Sequence, residues 1–283
     1  MPAVLALILL TVLAPPGLAA DTSLTWHGHA SFEITTPKGV KLMIDPWLRN
    51  PANPRTAEGQ DPVAEVSRLD YILITHGHSD HVGDAVALAK KTGARLVALF
   101  ELGQTAARLL GYPAEQMGYD TLMNIGGEIT IAGGEVRVAM TPAVHSAGMA
   151  NPDDDQDEAP FVYAGSPVGL VVSIEDGPTF YHSGDTAFFS DMALIGELWH
   201  PDVALVPAGG HFTMEPALAA RAAAAVKARW AVPHHVATFP VLAQDTSAFV
   251  AAAEKLGVQP LLMQPGETVR FTGRQLQAPA AKP

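Results

Sequence analysis

The stretch "YILITHGHSDHVGD", residues 71–84, runs four mostly apolar residues straight into three histidines and two aspartates. The apolar run reads as a short buried strand, bounded by the polar segment before it. Ionisable groups at the end of a buried strand need a partner, because an unpaired polar group out of water is costly. His76 and His78 are two apart, so an extended backbone puts both rings on one face. Asp80 and His81 then follow in a predicted turn. The His-x-His-x-Asp-His spacing therefore gathers two sets of ligands, which suits two divalent cations better than one.

The chain has no cysteine, so thiolate sites and disulfides are excluded and His, Asp and Glu are the strong ligands left. Further candidates stand in matching places. His145 ends "VRVAMTPAVH", Asp185 ends "TFYHSGD" and His235 closes "WAVPHH". Each follows a predicted strand, where loops at one edge of a sheet converge. Ionised Asp185 offers two oxygens, enough to bridge two cations.

The rest of the chain supplies such strands. "SLTWHGHASFEIT" alternates and is rich in β-branched and aromatic residues, and "VKLMIDP" follows. Residues 50–62 read as a polar, proline-punctuated loop. "VGDAVALAKKTG" and "ELGQTAARLLG" have helical spacing, with "RLVALF" as a strand between them. Strands are expected within 128–140 and at "VGLVVSI", "TFYHSGD", "VALVP", "WAVPH" and "TVRFT". Helices are expected over 190–199, 216–229 and 245–256, with Pro216 suited to a first turn. No repeat of fixed period and no break in composition divides residues 21–283, which are expected to form one domain. The first twenty residues, "MPAVLALILLTVLAPPGLAA", have the shape of a signal peptide. Export to a bacterial periplasm or beyond is the expectation, with no stable membrane span after cleavage.

The formal net charge is −12, and no Lys/Arg cluster offsets it. Nucleic acid is thereby disfavoured as a partner, a small-molecule substrate is favoured, and a homo-oligomer is left open.

Taken in order, "GHASFEI", "MIDPWLRNP", "THGHSDHVGD", "VHS", "YHSGDT", "PAGGHFTMEP" and "PHHVATFP" resemble the metallo-β-lactamase superfamily. The similarity is closer to its metal-dependent hydrolases that include L-ascorbate-6-phosphate lactonase-like proteins. "HFTMEP" and "TFP" are the narrower markers of that group. The resemblance implies an α/β fold, a four-layer αββα sandwich of two mixed sheets with helices outside. It implies His76, His78 and His145 on one metal, Asp80, His81 and His235 on the other, and Asp185 bridging. The ligand stands three residues before Thr238, which selects His235 and leaves His234 as a supporting or surface neighbour.

Asp45 in "MIDP" is similar to an acidic residue near the family's site and would orient a ligand histidine. His29 would line the site floor. His211, in a Gly-Gly-His loop that the resemblance places over the metals, would polarise the substrate. His27, His182 and His200 read as structural. Ser183 lacks a nucleophile-elbow context, which excludes a serine hydrolase.

The implied chemistry is hydrolysis of a small ester, lactone or phosphodiester by a hydroxide shared between two cations, since coordination lowers the pKa of water from ~15.7 to about 7. Asp80 would both hold a metal and orient that hydroxide. Zinc suits such a site best, and manganese, iron and nickel are accepted by mixed His/Asp sets. A phospholipase-D-like phosphodiesterase and a non-catalytic metal-binding relative are the alternatives.

Overall fold

The computed structural model describes residues 21–152 and 160–278. The expected signal segment, 1–20, and the acidic run Asp153 to Glu158 lie outside the described residues.

Two large sheets lie face to face. The first places its strands in the order Gln275–Leu276, Thr268–Thr272, Thr22–Trp26, Phe32–Thr35, Lys41–Ile44, Tyr71–Leu73, Arg95–Leu99, Leu122–Met123. The second runs Gln259–Pro260, Trp230–His234, Val203–Pro207, Thr179–His182, Val168–Ile174, Val136–Pro142, Glu128–Ile131. Each sheet is mixed. Strands from Lys41–Ile44 to Leu122–Met123 pair in parallel in the first, as do those from Thr179–His182 to Gln259–Pro260 in the second. These parallel strands are continuous apolar runs because both their faces are covered: Ile72, Leu73, Leu96, Val97, Leu205 and Val206 are fully buried.

Between the sheets, Phe271 of the first packs on Phe180 and Trp230 of the second, and Phe32 packs on His182 and His234. Outside lie the helices, which complete the αββα layering. Pro216–Ala225 buries Ala219, Ala220, Ala222 and Ala223, and these small side chains let the helix lie close on Val203–Pro207. Ala85–Thr92 and Phe100–Leu110 end at Gly93 (φ 78°) and Gly111 (φ 69°), left-handed positions that glycine adopts without strain.

Three expectations are corrected in detail. "SLTWHGHASFEIT" is a hairpin, broken at Gly28 (φ 94°) and His29 (φ 50°), because the chain must turn there to bring His29 inward. The loop 50–62 carries the one-turn helix Pro54–Ala57, and Pro62 opens a second, Pro62–Glu65; Asn53 and Asp61 cap them. Asp80 and His81 sit in the one-turn helix Ser79–Val82.

The decisive feature for function is strand direction. Thr22–Trp26, Lys41–Ile44 and Tyr71–Leu73 run the same way in the first sheet. Val136–Pro142, Thr179–His182 and Trp230–His234 share one direction in the second. Their carboxyl ends deliver His29, Asp45, His76, His145, Asp185 and His235.

Candidate metal centre

All seven expected ligands converge. His76, His78 and His145 offer nitrogens within 4.8 Å of one another, and Asp80, His81, His235 and His29 form a second such group. A third group, His76, His81 and Asp185, joins them. His76 Nε2 stands 3.0 Å from His78 Nδ1. Asp185 Oδ2 lies 3.2 Å from His235 Nε2, 3.3 Å from His81 Nε2 and 3.8 Å from His145 Nε2. Ligands bonded at ~2.05 Å in a tetrahedral shell stand about 3.3 Å apart. The donor spacing thus fits cations, and Asp185 reaches both sets.

A second observation supports the fit. Asp185 Oδ1 is buried without a hydrogen-bond partner, and His81 Nε2 faces Asp185 without hydrogen-bond geometry. Buried polar atoms left this way are costly unless something else satisfies them. A His/Asp donor set of this kind suits zinc and its borderline neighbours.

Supporting hydrogen bonds fix which nitrogen each ring presents. Asp45 is fully buried at φ 45°, a left-handed conformation that Asp tolerates better than most residues. Its Oδ1 accepts from the Thr75 amide at 2.8 Å, and its Oδ2 from the Thr75 hydroxyl at 2.7 Å and from His81 Nδ1 at 2.8 Å. The hydroxyl, having donated to Asp45, accepts from His76 Nδ1 at 3.0 Å. Both imidazoles are left with Nε2 toward the centre. Ser146 Oγ meets His78 Nε2 at 3.3 Å, leaving Nδ1 as the ligand atom. His29 bridges Thr238 Oγ1 (2.9 Å) and Asp80 Oδ2 (3.0 Å), and its ring packs 3.8 Å from that of His235. It holds Asp80 rather than merely lining a floor.

The charges reflect this crowding. Burial alone would raise Asp185, but His81 and His235 hold its carboxyl well below the usual range. Asp80 is likewise lowered: burial opposes, and the nearby His235 ring at 3.7 Å together with the hydrogen bond from His29 prevails. For His235, burial is outweighed by Asp185 and Asp80, which raise it to about 9; His81 is raised well above its ordinary value by Asp185 and Asp45 against the same opposition. Burial pushes His76 well down and His29 to about 4. The metal-free centre is a proton-holding lattice of imidazoles and carboxylates, and cations binding there must displace protons.

The remaining histidines separate cleanly. His234 belongs to none of the three ligand groups and is not a surface group: it is fully buried between Phe32 and His182 (ring centroids 5.7 and 4.8 Å). The strand alternation turns it into the core, and the positive φ of His235 (58°) turns the next ring to the candidate ligand cluster. His182 accepts from the Gly184 amide and donates to the Ala30 carbonyl, a structural role. His200 closes the helix Met192–Trp199. His211 is exposed on the neighbouring loop and belongs to none of the three ligand groups. The sequence assigned no supporting role to Thr75, Ser146, Thr238, Trp47 or Phe239, although Thr238 and Phe239 stand in the "TFP" marker. Thr75 carried a positional signal, since it directly precedes His76 at the strand end.

Comparison with known proteins agrees with this geometry. Residues 41–236 match the β-lactamase superfamily domain. A UPF0173 metal-dependent hydrolase of Thermodesulfovibrio yellowstonii is 43% identical over 266 residues, covering 93% of this chain and 97% of that one. One from an Anaeromyxobacter species is 45% identical over 258 residues, covering 91% and 89%. The solved metallo hydrolase of Ignicoccus hospitalis superposes with a TM-score of 0.74 at 34% identity, covering 89% of this chain and 98% of that one. The comparisons overturn one expectation. The Thermodesulfovibrio protein, matched over nearly its whole length, is described as a metal-dependent hydrolase, which supports the hydrolase and metal-binding expectations and gives no support to the expected signal peptide over 1–20 or periplasmic location. No helix among the described residues is long and apolar enough to cross a membrane. The fold, the ligand geometry and these matches together show that the chain belongs to the β-lactamase superfamily and, within it, to the UPF0173 metal-dependent hydrolases.

Proposed function

We propose that this metal-dependent hydrolase works with two divalent cations, zinc foremost, on a small ester, lactone or phosphodiester. The observation that carries the reading is the position of Asp185 Oδ2, within 3.8 Å of ligand nitrogens from both sets. Bound cations would supply a water acidified to a pKa of about 7 and a polarised substrate oxygen.

The protein's own groups do the rest. His76, His78 and His145 would hold one cation, and Asp80, His81 and His235 the other. Asp80, a quarter exposed at the mouth, is placed to accept a hydrogen bond from a water and would orient it toward the substrate. His29 keeps that carboxylate in place. His211 stands two residues after Gly209, whose Cα abuts the His235 carbonyl so closely that a Cβ would stand 2.2 Å from it. From this rim, His211 is assigned to the substrate oxygen. The acyl or phosphoryl group passes directly to water, so no covalent bond to the protein is needed.

The test is turnover of phenyl acetate, a homoserine lactone and bis-nitrophenyl phosphate by protein stripped of metal and then reloaded with zinc or manganese. Activity that returns with metal supports the reading. Full metal loading without turnover of any of them would instead make this a metal-binding relative that performs no hydrolysis.

A further inference from the structure

Beside Asp80 opens a cavity of about 330 Å³ lined by Trp47, Ser79, Asp80 and Phe239. It adjoins the centre through a ligand residue. The larger cavity of about 480 Å³, around His27, Glu33 and Arg55, includes none of the ligands. Its cations there are already paired, Lys41 with Glu33, Arg55 with Glu65 and Arg68 with Asp70.

The smaller cavity has an aromatic wall. The rings of Trp47 and Phe239 stack with centroids 5.9 Å apart at 23°, and His29 meets both edge-on at 5.2 and 5.9 Å. The wall is fixed in place. Asn50 Nδ2 donates to the Trp47 carbonyl at 2.6 Å, and the Gly83 backbone presses on Trp47, where a Cβ would stand 2.6 Å from the Trp47 Cβ. The Phe239 carbonyl accepts from the Leu242 amide and from Gln244 Nε2. Thr238, next to Phe239, is tied to His29. Yet Phe239 remains 38% exposed. A rigid, partly uncovered aromatic face touching a metal ligand is unusual unless something covers it in use.

Lining chemistry then limits what covers it. None of the four residues is cationic, and Asp80 contributes a carboxylate. A phosphate or carboxylate carried on the remote part of a substrate would find no counter-charge here. A planar apolar group would gain both burial and ring stacking.

We propose that Trp47 and Phe239 form the subsite for an uncharged planar group of the substrate, preferably aryl, which sets the scissile bond against Asp80. This rests on the hydrolase reading and narrows it, favouring aryl or arylalkyl esters and lactones over phosphorylated ones.

The experiment measures binding of benzylphosphonate and methylphosphonate by calorimetry to the zinc-loaded full chain, so that only the apolar group differs. Wild type, Trp47→Ala, Phe239→Ala and Trp47→Phe are compared at equal metal content. Wild type should prefer the benzyl compound by about tenfold or more. Either alanine variant should bring that ratio close to one while shifting the methyl constant far less, and Trp47→Phe should keep most of it. Equal binding of both compounds by wild type overturns the subsite, as does a preference that survives both alanine variants. A benzyl preference in a protein that hydrolyses no ester or lactone would leave the subsite standing and remove the hydrolase reading. Hydrolysis without the preference would do the opposite.

Discussion

Thr75→Val removes one oxygen and keeps the side-chain volume, so it isolates the yoke that joins the two ligand sets. Two hydrogen bonds are lost: the hydroxyl's donation to Asp45 at 2.7 Å and its acceptance from His76 Nδ1 at 3.0 Å. The first is charge-assisted, worth about 1.5–3 kcal/mol, and the second about 1 kcal/mol. His76 Nδ1 is left buried without an acceptor. The backbone bond from Thr75 to Asp45 survives, so the loss should be about 2–4 kcal/mol rather than a collapse of the loop. At roughly 2–4 °C per kcal/mol for a domain of this size, the metal-free protein should melt about 5–15 °C lower. Freed to rotate, His76 should also bind its cation about 10–100-fold more weakly. Calorimetric unfolding and competitive metal titration read the two effects. Thr75→Ser, which keeps the hydroxyl, should restore most of the metal affinity. If Val binds metal as tightly as wild type, or Ser binds no better than Val, the hydroxyl does not orient His76 and the reasoning fails.

Three further outcomes follow from the geometry. His235→Ala should lose a metal ion and most turnover, whereas His234→Ala should keep its metal and lose stability through the cavity left between Phe32 and His182; metal analysis and melting curves decide, and the reverse ranking contradicts the assignment. Because His235 is held at about 9 in the metal-free centre, its contribution to stability is full below its ordinary ~6.5 and disappears as pH rises through about 9. Cations compete with that same proton, so metal affinity should climb with pH up to about 9 and then flatten; affinity independent of pH would contradict the proton-holding centre. With a net charge of −12, the chain should not cleave an oligonucleotide at low salt, and cleavage that weakens as salt rises would reveal a basic surface the sequence does not show.

The candidate ligands were legible in the sequence because most of them follow an apolar strand, and strands that run in one direction present their carboxyl ends at one edge. His76, His145, Asp185 and His235 all sit at such ends, and a period of two explains why His234 faces the core while His235 does not. The supporting groups were much less legible. Thr75 and Thr238 act through single hydroxyls on residues distant in sequence, and nothing in a lone threonine announces a partner such as Asp45 or His29. The aromatic wall was hidden for the same reason: Trp47 and Phe239 are 192 positions apart and meet only because two sheets close over each other. The hairpin at 22–35 was blurred because His27-Gly28-His29 keeps the alternation while the backbone turns.

The most direct test of the account is the number of cations the centre holds. Protein stripped of metal should be titrated with zinc while bound metal is counted by elemental analysis and the melting temperature is followed. Two equivalents per chain are predicted, each raising the melting temperature, with Asp185→Asn weakening both because its carboxylate reaches ligands of both sets. Saturation at a single equivalent, or an Asp185→Asn variant that still binds two ions with undiminished affinity, would contradict the bridging role proposed for Asp185.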